Sequence, residues 1–370
     1  MKILVVSYHN INDNRINKHL NTISRFTEHV HYVNISDSKR QNLTVRENCS
    51  VEQIPVNVTK KNPFGIIWAF LKVRRIIRKS NANIIHIHDP LLIVLLPYAK
   101  SRKMTTVYDK HESYELYGGL HGRISNYLEN TYHKKIDGVV YVNSNQELYL
   151  NTFAYRKRLI PNFQVKAQFS SAVEKSSSPI TLIYIGTLTE SSRATLLMLD
   201  MIEAILSTRS GVNCVIGGPV NDSRIDERLE ALSNKFETFS YLGYVPYNEL
   251  IELTCKSDIG LYFQKDRPNN IGSSPNKIFE YLLSGLAVVS IGRFEHWDKI
   301  DSVAGRVFDF DPPLSDLVTF VQGLVDNPAL LRKFKNGSKA LGEQFTWESV
   351  EGRYRELYEE LFDATSSTEK

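Results

Sequence analysis

Short runs of aliphatic and β-branched residues alternate along this chain with longer stretches whose apolar positions recur every three or four residues. The short runs predict strands at Ile3–Val6, Val30–Ile35, Ile84–His88, Thr105–Tyr108 and Gly138–Val142, then at Ile180–Ile185, Asn213–Ile216, Thr238–Tyr241, Ile259–Tyr262 and Ala287–Ile291. The longer stretches predict helices at Ile16–Phe26, Phe64–Lys79, Ile124–Lys135, Leu196–Leu206, Ile225–Phe236, Asn248–Lys256 and Pro275–Leu283. Strands alternating with helices in this way predict parallel sheets covered by helices, so the expected fold class is α/β. A last amphipathic stretch, Thr346–Phe362, predicts a closing helix capped by Thr346, with Trp347, Val350, Tyr354, Leu357, Tyr358 and Leu361 on one face.

The periodicity lapses over Gln164–Pro179, which is rich in Ser and Lys and ends in Ser176-Ser177-Ser178-Pro179, the chemistry of a linker. The expected organisation is a first domain over 1–163, a linker over 164–179, a second domain over 180–345 and a terminal helix over 346–370. A length of 370 residues suits two or three cores. The apolar run near the start is too short for a secretory signal and reads as a first buried strand. No stretch reaches the ~18 consecutive apolar residues of a membrane span; the densest, Leu91–Leu96, is ended by Pro97. Cys49, Cys214 and Cys255 lack metal or redox spacing and read as buried thiols in a reducing cytoplasm.

Charge changes the picture. Residues 1–163 carry 24 Lys and Arg against 12 Asp and Glu, whereas residues 164–370 carry 21 against 29. A basic first half favours an anionic partner, whether phosphate groups, an acidic membrane surface or nucleic acid, and solvated basic helix faces clustering there are the plainer reading. The stretch Phe64–Lys79 combines Ile66, Ile67, Phe70, Leu71, Ile76 and Ile77 with Lys72, Arg74, Arg75, Arg78 and Lys79, and suits either an anionic surface or a helix covering the sheet. There is no recognisable nucleic-acid motif, and no Gly-x-Gly-x-x-Gly follows either leading strand, which disfavours a dinucleotide dehydrogenase.

Doubly wound sheets bind ligands at the carboxyl ends of their strands, so the loops after strands carry the candidate chemistry. The most informative run is Ser273-Ser274-Pro275-Asn276-Lys277-Ile278-Phe279-Glu280-Tyr281, closed by Gly285 before the apolar run Leu286–Val289. A helix starting at such a point offers free N–H groups and a positive dipole end, an anion site best filled by a diphosphate. Lys277 adds a full charge, and Glu280 one turn deeper suits two ribose hydroxyls. The run resembles the donor-binding segment of glycosyltransferase family 4, retaining enzymes of the GT-B fold, in a subgroup with a Pro-x-Lys-x-Phe-Glu-Tyr pattern. That family usually carries Glu-x7-Glu here; Glu280 matches the second glutamate, and Gly272 stands where the first, which contacts the transferred sugar, would fall.

The resemblance extends over nearly the whole chain. The loop Gly186-Thr187 with Arg193 downstream is similar to the family's glycine loop, in which Arg193 would pair with phosphate oxygens. Tyr244-Val245 lies in a segment that resembles the cradle of the nucleotide base, and Ser274, Asn276 and Lys277 match the diphosphate contacts. In the first half, His111 matches a histidine near the reacting carbon, with Glu112 beside it. His88-Asp89 resembles a strand ending at the cleft mouth, whereas His86 alternates with apolar neighbours and reads as a core histidine. Asp13 and Arg15 occupy the loop after the first strand; Arg15 suits an acceptor or phosphate contact, and capping by Asp13 or Asn14 is an equal reading.

What the resemblance implies is a GT-B architecture, two Rossmann-like doubly wound domains facing a central cleft, with the closing helix returning to the first domain. The implied activity is retaining transfer of a sugar from a UDP- or GDP-sugar to a glycan or polyprenyl-diphosphate-linked acceptor, in bacterial cell-surface polysaccharide synthesis. His111, Glu112, Arg193 and Lys277 are the expected catalytic groups. No cofactor or metal ligand set is expected: Asp309-Phe310-Asp311 has Asp-x-Asp spacing but precedes Pro312-Pro313 at a turn. The implied location is cytoplasmic, peripheral at the inner face of the membrane. A nucleotide-sugar epimerase of the same architecture and a catalytically silent nucleotide-sugar-binding subunit are the rival readings.

Overall fold

Among the described residues every strand pairing is parallel, and the strands form two sheets, one in each of two compact units: Met1–Pro161 with Val350–Lys370, and Asn162–Ser349. The computed structural model describes residues 1–40, 43–57, 62–116, 118–150, 156–169 and 179–368. Most of the expected linker, residues 170–178, lies outside the described residues. Of its remainder, Lys166–Phe169 forms a short 3-10 turn.

The first unit runs β1 (Lys2–Ser7), α1 (Asn14–Ile23), β2 (His29–Ile35), β3 (Cys49–Ile54), α2 (Pro63–Lys79), β4 (Ile84–His88), α3 (Leu96–Ser101), β5 (Thr105–Lys110), α4 (Gly119–Tyr132), β6 (Gly138–Tyr141) and β7 (Arg156–Leu159). Its sheet order is β3-β2-β1-β4-β5-β6-β7. Every residue of β4 and β5 is buried, as expected of central parallel strands covered on both faces. The order reverses between β1 and β4, so the loops after these two strands flank the crevice where doubly wound sheets hold ligands. The edge strands β3 and β7 were not predicted. Their sequences, CSVEQI and RKRL, bury few side chains and so lack an apolar run. The dense run Leu91–Leu96 forms a 3-10 turn at Pro90–Leu95 that leads into α3.

The second unit runs β8 (Ile180–Ile185), α5 (Thr195–Thr208), β9 (Val212–Gly217), α6 (Ser223–Lys235), β10 (Phe239–Tyr241), α7 (Tyr247–Cys255), β11 (Ile259–Phe263), α8 (Asn276–Ser284), β12 (Ala287–Ile291), α9 (Trp297–Ile300), β13 (Gly305–Phe308), α10 (Leu314–Asp326) and α11 (Pro328–Gly342). The sheet order is β10-β9-β8-β11-β12-β13, with its own reversal between β8 and β11. Helix α8 begins after Pro275, which is its N-cap, and ends on Gly285 in the left-handed conformation at φ 69°. The elements β13, α9, α10 and α11 were not predicted. Helix α11 nonetheless carries a legible start, since Pro328 opens it and the Asn327 side chain accepts from the Leu330 N–H at 3.1 Å.

The expected single helix over 346–362 is corrected to two elements. Thr346 caps only a 3-10 turn at Trp347–Ser349, its hydroxyl accepting from the Ser349 N–H at 3.2 Å. Helix α12 (Gly352–Thr368) then follows and belongs to the first unit. Its Leu357 and Leu361 lie against Gly138 so closely that a β-carbon there would fall 2.8 Å from Leu361 Cδ1, which is why β6 starts on glycine. Cys49 and Cys214 are buried, but Cys255 is only half-buried.

Candidate functional site

In the second unit, the chain after β8 and the loop leading to α8 form one polar cradle. Lys277 extends over Gly186: a β-carbon on Gly186 would collide with Lys277 Cε and Nζ, and the Lys277 ammonium lies 5.9 Å from the Tyr184 ring centroid. Gly218, at φ 131°, packs its backbone on the Gly186 carbonyl, where no side chain fits. Gly217-Gly218 thus does more than turn the chain: it lets the ends of β8 and β9 meet. The Arg193 guanidinium lies 5.4 Å from the Tyr262 ring centroid and donates to Asn270 Oδ1 at 3.3 Å. Asn270 in turn donates to the Ser192 and Lys265 carbonyls at 2.9 and 2.8 Å, which fixes the loop beside Arg193.

Burial lowers the Lys277 pKa, and the Arg193 charge adds to this against the pull of Glu280. Two cations held beside one another in this way are stabilised by an anion. Glu280 is buried one turn further along α8. Ser274 is buried with its hydroxyl lacking a protein partner, immediately before the free N–H groups of α8. Thr187 is exposed, and its carbonyl accepts from Tyr184 Oη at 2.9 Å. Asn276 is exposed at the first position of α8. Val245 is buried against Gly217, whereas Tyr244 is 76% exposed. Gly272, at φ 66°, adopts a left-handed backbone that a glutamate would strain. Reading motifs alone missed Asn270. The signal available was the polar run Asp266–Ser274 following β11.

In the first unit, strand ends and α12 enclose a chain of imidazoles. His111 Nε2 lies 2.8 Å from His88 Nδ1, and His88 Nε2 lies 3.0 Å from His19 Nδ1. His19 Nε2 lies 2.9 Å from Tyr358 Oη, which lies 2.6 Å from His86 Nδ1. Asp109 sits beside them, accepting from Arg15 Nη2 at 3.0 Å and from Tyr354 Oη at 3.1 Å. Burial opposes its ionisation, but Arg15 foremost and the surrounding imidazoles hold its carboxyl well below the ordinary range. Burial keeps all four histidines neutral: His19 and His88 fall well below the ordinary value, His86 falls, and His111 falls to about 3.

The residues of the expected acceptor set take the following positions. His88 and Asp89 are wholly buried rather than open at a cleft mouth, because β4 is a central strand and both side chains are taken up by partners. Asp89 pairs with His9 at 2.5 Å. Burial opposes the charge on His9, yet Asp89 raises its pKa to about 9. The His9 ring stacks on His111 at 4.8 Å between centroids. Arg15 is buried on Asp109 and the Ile160 carbonyl (2.9 Å) instead of standing open to a ligand. Asp13 caps α1, accepting from the Ile16 N–H at 3.0 Å. His111 ends the buried chain, 9% exposed, and Glu112 beside it is exposed. His86 is a buried core histidine bonded to Tyr358. Sequence reading missed His9, His19, Asp109, Tyr354 and Tyr358, which join only through folding.

Among the described residues, two trios bring metal-ligating atoms within 4.8 Å of one another: His19, His86 and His88, and His88, Asp109 and His111. The ring nitrogens of His88 are taken up by bonds to His111 and His19, so hydrogen bonding already accounts for these groupings. Asp309 pairs with Arg293 at 2.6 Å, a strand-end ion pair. No helix of the described residues is long and apolar enough to cross a membrane.

Residues 4–163 match the sequence model of Glycosyltransferase Family 4. No curated protein sequence matches the chain. Among solved structures, sucrose-phosphate synthase from Thermosynechococcus elongatus superposes with a TM-score of 0.74 at 13% identity, over 98% of this chain and 100% of that one. Anabaena HepE in complex with UDP and glucose gives 0.74 at 15% identity, over 96% of this chain and 98% of that one. WaaG, a glycosyltransferase involved in lipopolysaccharide biosynthesis, gives 0.67 at 12% identity, over 96% and 98%. At these identities the likeness concerns the fold: two parallel sheets with flanking helices, as in GT-B glycosyltransferase structures.

Proposed function

We propose that this protein is a glycosyltransferase that takes a sugar from a nucleoside diphosphate sugar and passes it, with retention, to a hydroxyl of a glycan or lipid-linked acceptor. The observation that carries the reading is Lys277 laid over Gly186 beside Arg193, at the start of α8. In this mechanism the bond from the anomeric carbon to the diphosphate oxygen breaks, and negative charge collects on the leaving group. Lys277, Arg193, the Ser274 hydroxyl and the free N–H groups of α8 stabilise that charge. The acceptor oxygen bonds to the carbon on the same face, and its proton passes to the departing phosphate. Glu280 takes the ribose hydroxyls, the Tyr244-Val245 segment takes the base, and His111 with Glu112 serves the sugar.

HepE, which shares the fold, binds UDP, so UDP is the first nucleotide to test and GDP the second. Calorimetry with each, followed by nucleoside diphosphate release from matching sugars with and without acceptor, tests the reading. Absence of binding by both would overturn it. Binding without turnover would favour the silent-subunit reading, which Gly272 supports because its left-handed backbone disfavours the glutamate that contacts the sugar in the family. Interconversion of sugars without release of nucleotide would favour an epimerase.

We further propose an acceptor at the cytoplasmic face of the membrane, in cell-surface polysaccharide synthesis, and a separate observation supports the membrane part of this reading. Helix α2 buries Ala69, Val73 and Ile77, yet Phe64, Ile67, Trp68 and Leu71, spaced i, i+3, i+4 and i+7, are each at least half exposed, and Phe64 is 84% exposed. The helix has five basic residues and no acidic one. A groove of about 550 Å³ joins Trp68 and Leu71 to Lys72, Arg75 and Lys79; Glu52 on its wall pairs with Lys72 at 3.0 Å. Apolar anchors flanked by cations suit anionic lipid, each charge adding ~1 kcal/mol near the surface. Sedimentation with phosphatidylglycerol-containing vesicles, compared with phosphatidylcholine alone, should show binding that Phe64→Ser with Trp68→Ser removes. Failure to bind at low salt would end the membrane placement and leave sugar transfer untouched.

A further inference from the structure

The buried imidazole chain of the first unit has a direction, and the direction is set at the end remote from His111. Each link needs one proton, and each neutral ring has one to give. Only two arrangements satisfy every link and also pair the buried Tyr358 hydroxyl proton. In one, His111 Nε2–H donates to His88, His88 Nε2–H to His19, His19 Nε2–H to Tyr358 and Tyr358 O–H to His86 Nδ1. In the other, every donor and acceptor is exchanged.

The two differ at His86 Nε2, which makes no hydrogen bond and faces the Asp109 carboxylate at 3.7 Å. In the first arrangement this nitrogen carries a proton toward the carboxylate. In the second it turns a lone pair on it, which is repulsive where both groups are fully buried. Asp109 stays ionised because Arg15 is forked on it and Tyr354 donates to it. The shared proton between His88 and His111 cannot set the direction, since Asp109 lies 3.6 Å from both nitrogens. The choice is made at His86 and carried by Tyr358.

We infer that Asp109, His86, Tyr358, His19 and His88 form a relay that holds His111 in its Nε2–H tautomer, so that His111 Nδ1 is a hydrogen-bond acceptor. Such a nitrogen takes a bond from a hydroxyl group, as on a sugar, and rejects a phosphate oxygen. The five relay members are positioning residues that act through His111; two tyrosines of α12, Tyr354 and Tyr358, complete the arrangement. The stacked His9, kept charged by Asp89, keeps a second proton off the His111 ring by repulsion. The ligand chemistry rests on the sugar-transfer reading; the tautomer does not.

The test is nitrogen NMR of the whole protein labelled with ¹⁵N-histidine, reading ring tautomers from long-range proton couplings, with the His111 signals identified from their loss in His111→Gln. The wild-type protein should show His111 protonated on Nε2 alone. Tyr358→Phe, which keeps the ring but breaks the two links, should give a mixture of tautomers, with kcat lowered by roughly 2- to 10-fold and KM unchanged. A wild-type His111 protonated on Nδ1 would overturn the relay without any variant having to fold. So would an unaltered tautomer in a folded Tyr358→Phe protein, even if its kcat fell, since that would mark a structural effect. The predicted tautomer in a protein that releases no nucleotide would instead count against sugar transfer and leave the relay standing.

Discussion

Lowering the pH should unfold the first unit well before the second, because it buries four histidines in their neutral form. His19, His86, His88 and His111 all have native pKa values below the ordinary 6.5, chiefly through burial. Below about pH 6 the unfolded chain protonates each ring while the native chain does not, so stability falls with pH. Each ring contributes about 1.4 kcal/mol per pH unit, and four give about 5 kcal/mol per unit, comparable to the whole stability of an ordinary domain. His9 adds nothing below about pH 6: its native value is raised to about 9, so its stabilisation is complete below 6.5 and is lost as the pH climbs from there through 9. Asp109, whose native value is depressed, loses its contribution only as the pH falls below 3.8 and toward its native value. Asp89 and Glu129, both raised by burial, take up protons early in the native state and reduce the slope toward the acid end.

The assay is urea unfolding by circular dichroism between about pH 5 and about pH 7, with the slope of stability against pH read as a proton number. Trp297 and Trp347 both lie in the second unit, so their fluorescence, with Trp68 replaced by Phe, serves as an internal control in which only His296, lowered by partial burial, can contribute, for at most about one proton. Three to four protons are expected in the first-unit transition, and His19→Gln should remove one. A slope of one proton or less would refute the neutral, solvent-excluded chain, and with it the count of one proton per link.

Three further outcomes concern the cradle and the metal question. Lys277→Ala or Arg193→Ala should lower turnover roughly 10²- to 10³-fold, with the circular dichroism spectrum unchanged, since under the proposed function each removes one donor to the leaving diphosphate. Gly186→Ala should weaken nucleotide binding by displacing Lys277, whose side chain occupies the space of the added methyl; unaltered affinity in calorimetry would mean that Lys277 does not serve from this position. Activity in EDTA should equal activity without it, because leaving-group charge is assigned to Lys277, Arg193 and α8; loss that is restored by a divalent ion would reassign part of that role.

Where the chemistry is local, the sequence displayed it. Ser274-Pro275-Asn276-Lys277 followed by Gly285 marks both ends of α8, and a glycine closing a β-branched run marks the tip of β8. Central strands such as β12 are legible because burial on both faces demands an unbroken apolar run, and Ala287–Ile291 supplies it. The edge strand β7 has the sequence RKRL and is a strand through pairing with β6 alone, a long-range fact with no local signature. Helices α10 and α11 had signals that went unused, Pro313 and Asn327-Pro328, just before each pattern.

The histidine chain shows why the first unit's chemistry was harder to see than the second's. Its members sit on α1, β4, the loop after β5 and α12, so the bond from His19 to Tyr358 joins residues 339 positions apart. Each looks ordinary alone: His86 and His88 alternate with isoleucines in a strand, and Tyr354 and Tyr358 lie on the apolar face of an amphipathic helix. Apolar patterning treats such tyrosines as core, and by area they are, but a buried hydroxyl must also find a partner. Four buried imidazoles, two tyrosines and one carboxylate converge on His111, the residue whose chemistry the family resemblance singled out. A polar network this deeply buried is costly unless its links are made, and with every link made it is the one unbonded nitrogen, His86 Nε2 facing Asp109, that decides where the protons reside.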